Sequence, residues 1–276
     1  FRSVWEDAST KISMGGRRAY VDGDELDSVM NYPLRTLLLD FLLGRIDAFE
    51  LQSGMMSLWE NYPPEFFYAL LNLVSGHDVE RALTLLAGAP SAAGLSREQQ
   101  AAVELSPDAL ALGLARLRAL VFLQIALPGA PCVYYGDEAG MQGMRDPFNR
   151  KTYPWGRENQ NLIAYYRRMI FRRRHLRALT DGEFSAVGLD QDVIAVLRRR
   201  RSPEAGIYIA LTSRDRAQRH TVTLDLSVPF EGTGEFGANG IIGFEDMETG
   251  HYYLCRNGKT TITLKPLGCV LLHARR

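Results

Sequence analysis

Two periodicities divide this chain. Up to about Asp181, apolar residues recur at helical spacing between short apolar runs; beyond it they alternate with polar ones in a period of two. In the first part, Leu26–Tyr32 reads as a strand leading into a helix over Pro33–Leu43, and Phe49–Glu60 as a second helix. A buried strand is predicted within Phe66–Val74, and a second apolar run ends abruptly in Pro131-Cys132-Val133-Tyr134-Tyr135-Gly136-Asp137-Glu138. Ser106-Pro107-Asp108 marks a helix start, since serine can cap and proline in the first turn lacks only a donor the helix cannot use. That helix runs to about Leu127, where Pro128-Gly129 breaks it. Asn159–His175 is a further helix, with Leu162, Tyr165, Met169 and Ile170 on one face. Helices set between short apolar strands predict βα units around a parallel sheet.

The character changes near Leu179-Thr180-Asp181-Gly182, which places a boundary between residues 1–178 and 179–276. Past it, Val193–Leu197, Ile207–Leu211, Thr221–Leu226, Tyr252–Cys255, Thr260–Leu264 and Cys269–His273 are all strand-like. Turn residues such as Asn257-Gly258 separate them, and the whole reads as an antiparallel β-sandwich. A closed eight-fold α/β barrel needs about 250 residues. The α/β part here ends near residue 178 with three convincing strands, so it is less than a whole barrel.

Composition excludes several classes. At 276 residues, 46% apolar and 23% charged, the chain can bury a substantial core. Lys+Arg and Asp+Glu are both 32, and that balance argues against a dedicated nucleic-acid or membrane-surface protein. The basic runs Arg167-Arg168, Arg172–Arg174 and Arg198–Arg201 therefore read as solvated faces. Neither Leu37–Leu43 nor Val121–Leu127 reaches transmembrane length. Phe1-Arg2-Ser3 leads into polar sequence without a leader-like apolar core and without an initiator Met; the chain reads as a fragment or processed product, with a cytoplasmic setting favoured. Cys132, Cys255 and Cys269 are widely spaced and lack neighbouring histidines, so no zinc site is expected and Cys132 reads as a small buried hydrophobe. Met55, Met56, Leu58 and Trp59 read as core.

The chemistry concentrates in Asn72-Leu73-Val74-Ser75-Gly76-His77-Asp78-Val79-Glu80-Arg81, a His-Asp pair where an apolar strand meets a loop. Polar side chains at the carboxyl ends of buried strands are the layout of a (β/α)-barrel active site. A His-Asp dipeptide alone is a weak signal; the upstream strand and Arg81 favour a functional reading. Asp137 and Glu138, as adjacent residues pointing to opposite faces, do not flank one bond and read as structural. Asp146 and Arg150, four apart, read in isolation as an ordinary loop ion pair, worth little when exposed.

Taken together these residues resemble the alpha-amylase superfamily of glycoside hydrolases, in its neopullulanase, cyclomaltodextrinase and maltogenic amylase branch. Val4-Trp5-Glu6-Asp7-Ala8-Ser9 is similar to the segment after the fifth barrel strand and Asp24–Tyr32 to the sixth-strand region. Asn72–Arg81 is similar to the seventh-strand motif, and Tyr134–Glu138 with Gly140-Met141, Gly143 and Asp146–Arg150 to the eighth strand and its loop. The resemblance implies the C-terminal half of a (β/α)8 TIM barrel followed by a β-sandwich, and retaining hydrolysis or transfer at α-glucosidic bonds. It implies that Asp78 is the carboxylate that stabilises the transition state and that His77 donates to the bound glucose. Arg81, Asp146 and Arg150 become substrate-binding residues and Trp5 a stacking surface. An α-glucan or cyclodextrin is the implied substrate; no cofactor is expected, and calcium stays undecided.

One departure matters. The family's general acid, a Glu, lies two residues before Trp5, where this chain has Ser3, and the nucleophile belongs to the fourth strand, ahead of Phe1. A serine hydroxyl cannot protonate a glycosidic oxygen near neutral pH as a carboxylic acid does, and Phe1-Arg2-Ser3 reads equally as boundary sequence standing in place of the native residues. Two readings follow: part of an α-glucan hydrolase, inactive in isolation, or a non-catalytic fragment that binds sugar weakly or self-associates. An opened barrel would leave unpaired strand edges, so a homo-oligomer is expected of the isolated chain.

Overall fold

In a computed structural model, residues 26–200, 206–226 and 240–276 are described. Ser3 and Trp5 lie outside the described residues, as does the segment likened to the fifth strand. The parallel part is built from three short backbone segments in chain order. Strand β1 (Leu71–Leu73) pairs with β2 (Ala130–Cys132) in the register Leu71↔Ala130 and Leu73↔Cys132, and Met30 bridges Leu71 on the other side. The bridge carries two hydrogen bonds, from the Asn31 N–H to the Leu71 carbonyl (2.9 Å) and from the Leu71 N–H to the Val29 carbonyl (3.0 Å).

The expected strand over Leu26–Tyr32 thus contracts to one bridge. The reason is local: helix α1 (Tyr32–Leu42) claims the end of the run, because the Asn31 side chain caps it by accepting from the Leu34 N–H and Pro33 fills its first turn. Helices α2 (Ala48–Asn61) and α3 (Pro64–Ala69) complete the return to β1, α2 beginning with a reciprocal Asp47/Glu50 capping box. Between β1 and β2 lie α4 (Ala82–Leu86), α5 (Arg97–Ala101) and α6 (Pro107–Ala126). Strand β1 contains a polar residue, Asn72, buried but fully engaged: it accepts from Asn31 Nδ2 (3.0 Å), donates to the Pro128 carbonyl, and its own carbonyl receives Gln124 Nε2 (2.7 Å).

Helix α6 starts as expected, with Ser106 Oγ accepting from the Ala109 N–H. Taken whole it is long and apolar enough to span a membrane, contrary to the expectation from shorter runs. Its last two turns, Ala119–Ala126, are buried on every side, which accounts for that composition. Being enclosed, its carboxyl end needs donors for its free carbonyls. Two arginines provide them. Arg173, on α7 (Gln160–His175), donates to the carbonyls of Ile125 (2.6 Å), Leu127 (2.7 Å) and Gly129. Arg198 donates to Ala126 (2.8 Å), Leu179 (2.8 Å) and Gly182 (3.0 Å). Both are buried, so the reading of these basic runs as wholly solvated is corrected: the cations complement the negative end of α6. Burial pushes the Arg173 guanidinium down to about 10 and that of Arg198 to about 9. On α7 the apolar face is closed by Tyr166 rather than Ile170, which is exposed.

After α8 (Arg177–Asp181) the chain is antiparallel. Strands β3 (Glu183–Gly188), β4 (Val193–Arg199), β5 (Ile207–Ser213), β7 (Gly243–Asp246), β8 (Tyr252–Leu254) and β10 (Cys269–Arg275) form one sheet in the order β3-β4-β5-β10-β7-β8; β6 (His220–Asp225) pairs with β9 (Lys259–Leu264). Alternation divides the sheet's two faces. Phe184, Ala186, Ile194, Val196, Tyr208, Ala210 and Leu271 join the core made by the helices, with Met55 and Met56. Val193, Ala195, Leu197, Ile209 and Leu211 pack against Val222, Leu224, Ile262 and Leu264 in a second core between the sheets. The β6–β9 pair shows the single-sided pattern, with Thr221 and Thr263 outward and Val222 and Ile262 inward. Cys132, expected to be buried, is partly exposed at the end of β2.

Candidate active site

The rim at the carboxyl ends of Met30, β1 and β2 gathers the polar residues singled out by sequence. His77 and Asp78 lie in the turn after β1, with His77 Nε2 3.2 Å from Asp78 Oδ1 and side chains 56% and 60% exposed. Tyr32, at the start of α1, faces the same carboxylate: burial raises its phenol pKa first, and the Asp78 charge raises it further. From the β2 side, Arg150 Nε meets Asp146 Oδ1 at 2.9 Å, and Arg150 Nη2 donates to the His77 carbonyl (3.2 Å). Tyr32, His77, Asp78, Asp146 and Arg150 are therefore joined across three chain segments.

Arg81 is placed differently from expectation. It is wholly buried, its guanidinium donating to Asp137 Oδ1 (3.0 Å) and to the carbonyls of Tyr135 (2.8 Å) and Asn149 (3.0 Å). The rings of Tyr134 and Tyr135 lie 4.6 and 4.9 Å from its guanidinium carbon. No face is left for a sugar, so the substrate-binding assignment of Arg81 gives way to a supporting one. Burial lifts Asp137 to about 6, while Ser75 and Arg81 act to lower it. Asp137 is thus a structural carboxylate, as its adjacency to Glu138 suggested.

Sequence reading missed two supports. Asn149, also wholly buried, spends its side-chain amide on the turn that holds the His-Asp pair. Arg35 donates to the carbonyls of Val74 (2.9 Å) and Glu80 (3.2 Å) at the two ends of that turn. The available signal for Arg35 was its helical spacing from Leu38, Leu39 and Leu42, which puts it on the apolar stripe of α1; Asn149 offered none beyond its place between Asp146 and Arg150. Elsewhere, Asp192, Asp215 and His220 bring ligand-type atoms within 4.8 Å of one another. Both His220 ring nitrogens are already hydrogen-bonded there, to Asp190 (2.9 Å) and Asp215 (3.0 Å), which makes the group an ion-pair cluster.

No family model matches the chain. Individual relatives do. An amylopullulanase of Thermoanaerobacter thermohydrosulfuricus is 30% identical over 97% of this chain and 18% of its own length. Neopullulanase 2 of Thermoactinomyces vulgaris is 28% identical over 99% of this chain and 40% of its own. The cyclic alpha-maltosyl-(1→6)-maltose hydrolase of Arthrobacter globiformis superposes with a TM-score of 0.66 at 28% identity, covering 93% of this chain and 47% of that one. Over nearly its whole length the chain is thus similar to glycoside hydrolases of the alpha-amylase family. It spans less than half the length of these relatives.

Proposed function

We propose that the chain is the C-terminal part of a retaining α-glucan hydrolase or transglycosidase acting on α-1,4 and α-1,6 glucosidic bonds. Residues 1–178 are then the second half of a (β/α)8 barrel, with Met30, β1 and β2 as its last three strands, and 179–276 a β-sandwich. The observation that carries this reading is the exposed His77-Asp78 pair at the carboxyl end of a parallel strand, on a rim shared with Tyr32 and Arg150. The names of the relatives support an α-glucan, and the Arthrobacter hydrolase is known in complex with maltose and with its cyclic substrate.

In this reaction one carboxylate forms a glycosyl-enzyme and a carboxylic acid protonates the leaving oxygen. Asp78, open to solvent beside His77, accepts sugar hydroxyls and favours the positive charge that develops at the anomeric carbon. His77 donates to the same glucose. Asp146 and Arg150, half-exposed, offer an acceptor and a fork of donors to neighbouring hydroxyls. Trp5 supplies a stacking ring beyond the cleaved bond. Ser3 cannot act as the acid, so this segment alone carries the stabilising corner and no catalysis of its own. Proton NMR of cyclodextrin or pullulan hydrolysis by the complete gene product tests the reading: the first product is the α-anomer. A β-anomer, or no hydrolysis, would refute it.

A second reading has one observation behind it. Met30, Val133 and Tyr135 are exposed at the ends of the parallel segments, an apolar rim suited to a second copy. The isolated chain then sediments as a dimer, and a monodisperse monomer excludes this.

A further inference from the structure

We propose that Asn149 is a positioning residue for Asp78, a proposal that rests on the function given above. The His77 and Asp78 side chains are more than half exposed, and the carboxylate meets His77 and the Tyr32 phenol, so side-chain packing constrains it on one side only. The rest of its placement comes from the backbone. That backbone is a turn outside any helix or strand, and its carbonyls need donors.

Asn149 supplies them. Its Nδ2 lies 3.0 Å from the Gly76 carbonyl, 2.9 Å from that of His77 and 2.8 Å from that of Val79, acceptors on both sides of Asp78. An amide has two hydrogens, so one is shared in a three-centre bond and the three carbonyls converge on a single nitrogen. Rotation of the Asp78 peptide would break at least one of these bonds.

The clasp is itself fixed. The Asn149 carbonyl accepts from Arg81 Nε (3.0 Å), whose guanidinium is anchored on Asp137. The main chain behind Asn149 passes so close to Gly143 that a Cβ there would lie 2.2 Å from the Phe148 carbonyl oxygen and 2.8 Å from Asn149 Cα. Gly143 in turn donates to Thr84 Oγ1 (2.8 Å) and accepts from the Arg81 N–H (3.0 Å). The position of Asn149 thus derives from α4, the β2 loop and the buried ion pair together.

The test compares Asn149→Ala and Asn149→Ser in the complete gene product, with β-cyclodextrin as substrate and amide hydrogen exchange as the second readout. A misplacement of about 1 Å costs roughly a hundredfold in rate. The expected result is kcat falling by about tenfold or more in Asn149→Ala with KM changed far less, and an intermediate loss in Asn149→Ser, whose hydroxyl keeps one donor. Exchange should quicken at residues 76–80 while the β4–β5 ladder keeps its protection. Faster exchange with kcat unchanged would overturn the positioning role, and unchanged exchange at 76–80 would overturn the clasp. If Asn149→Ala does not fold, the serine variant decides by the same criteria. A wild-type protein inactive on every α-glucan refutes the proposed function instead, and exchange alone then decides whether the clasp exists.

Discussion

Arg81 and Asp137 form a buried ion pair, 3.0 Å apart, that ties the turn after β1 to the loop after β2. Removing one partner strands the other in a dry site, which typically costs about 3–5 kcal/mol. Arg81→Met and Asp137→Asn should each lower unfolding stability by about that amount in urea titration, since each leaves the other partner without its counter-charge. A variant of either kind as stable as wild type would contradict a burial penalty at this pair.

Arg198 is expected to matter as much although it lies far from the rim. Arg198→Met leaves three enclosed carbonyls, those of Ala126, Leu179 and Gly182, without a donor, for a loss of about 2–4 kcal/mol. Arg198→Lys keeps the charge but loses the planar fork, and should fall between. Denaturation midpoints measure both, and a methionine variant as stable as wild type would show that α6 does not depend on this cap.

The His220 cluster gives stability a pH signature. Burial pulls the imidazole pKa down, but the hydrogen bonds it donates to Asp215 and Asp190, with the charges of Asp190 and Asp192, outweigh it and raise the pKa. Both ring nitrogens meet carboxylates, and only imidazolium can donate from both. Arg214, on Asp192, is a further cation at the cluster. A raised pKa means that the contribution is fully present below the unfolded value, about 6.5, and is lost as pH rises through the folded one. Asp215, held at about 2 chiefly by the His220 hydrogen bond, has the opposite sign and loses its contribution only as pH falls toward that value. Wild type should therefore exceed His220→Gln in stability by more at pH 5.5 than at pH 8.5. A difference independent of pH would contradict the charged bridge.

Much of this was legible in the chain itself. Alternation revealed β6 and β9, which are buried on one side only, continuous apolar runs revealed β4 and β5, which are buried on both, and Ser106-Pro107 announced α6 through local chemistry. Strands β3 and β7 escaped: Ala186 and Gly188 dilute one, and the other is short and ends in Glu245 and Asp246. The His77-Asp78 pair stood out because polar residues follow an apolar strand there, whereas Asp146 and Arg150 read as an ordinary loop ion pair until the family resemblance was applied. Arg81 and Arg198 were misread for a physical reason. What distinguishes a buried arginine from a solvated one is its acceptors, and these lie 54 to 68 residues away for Arg81 and 16, 19 and 72 residues away for Arg198. Nothing in the local pattern encodes them.

The most direct measurement is the turnover of β-cyclodextrin and pullulan by the complete gene product, wild type and Asp78→Asn, beside the isolated 276-residue chain. Wild type should hydrolyse at least one of them, Asp78→Asn should lose about a hundredfold or more in kcat, and the isolated chain should show none. Full activity in Asp78→Asn, or hydrolysis by the isolated chain that survives that substitution, would contradict the role assigned to the His77-Asp78 corner.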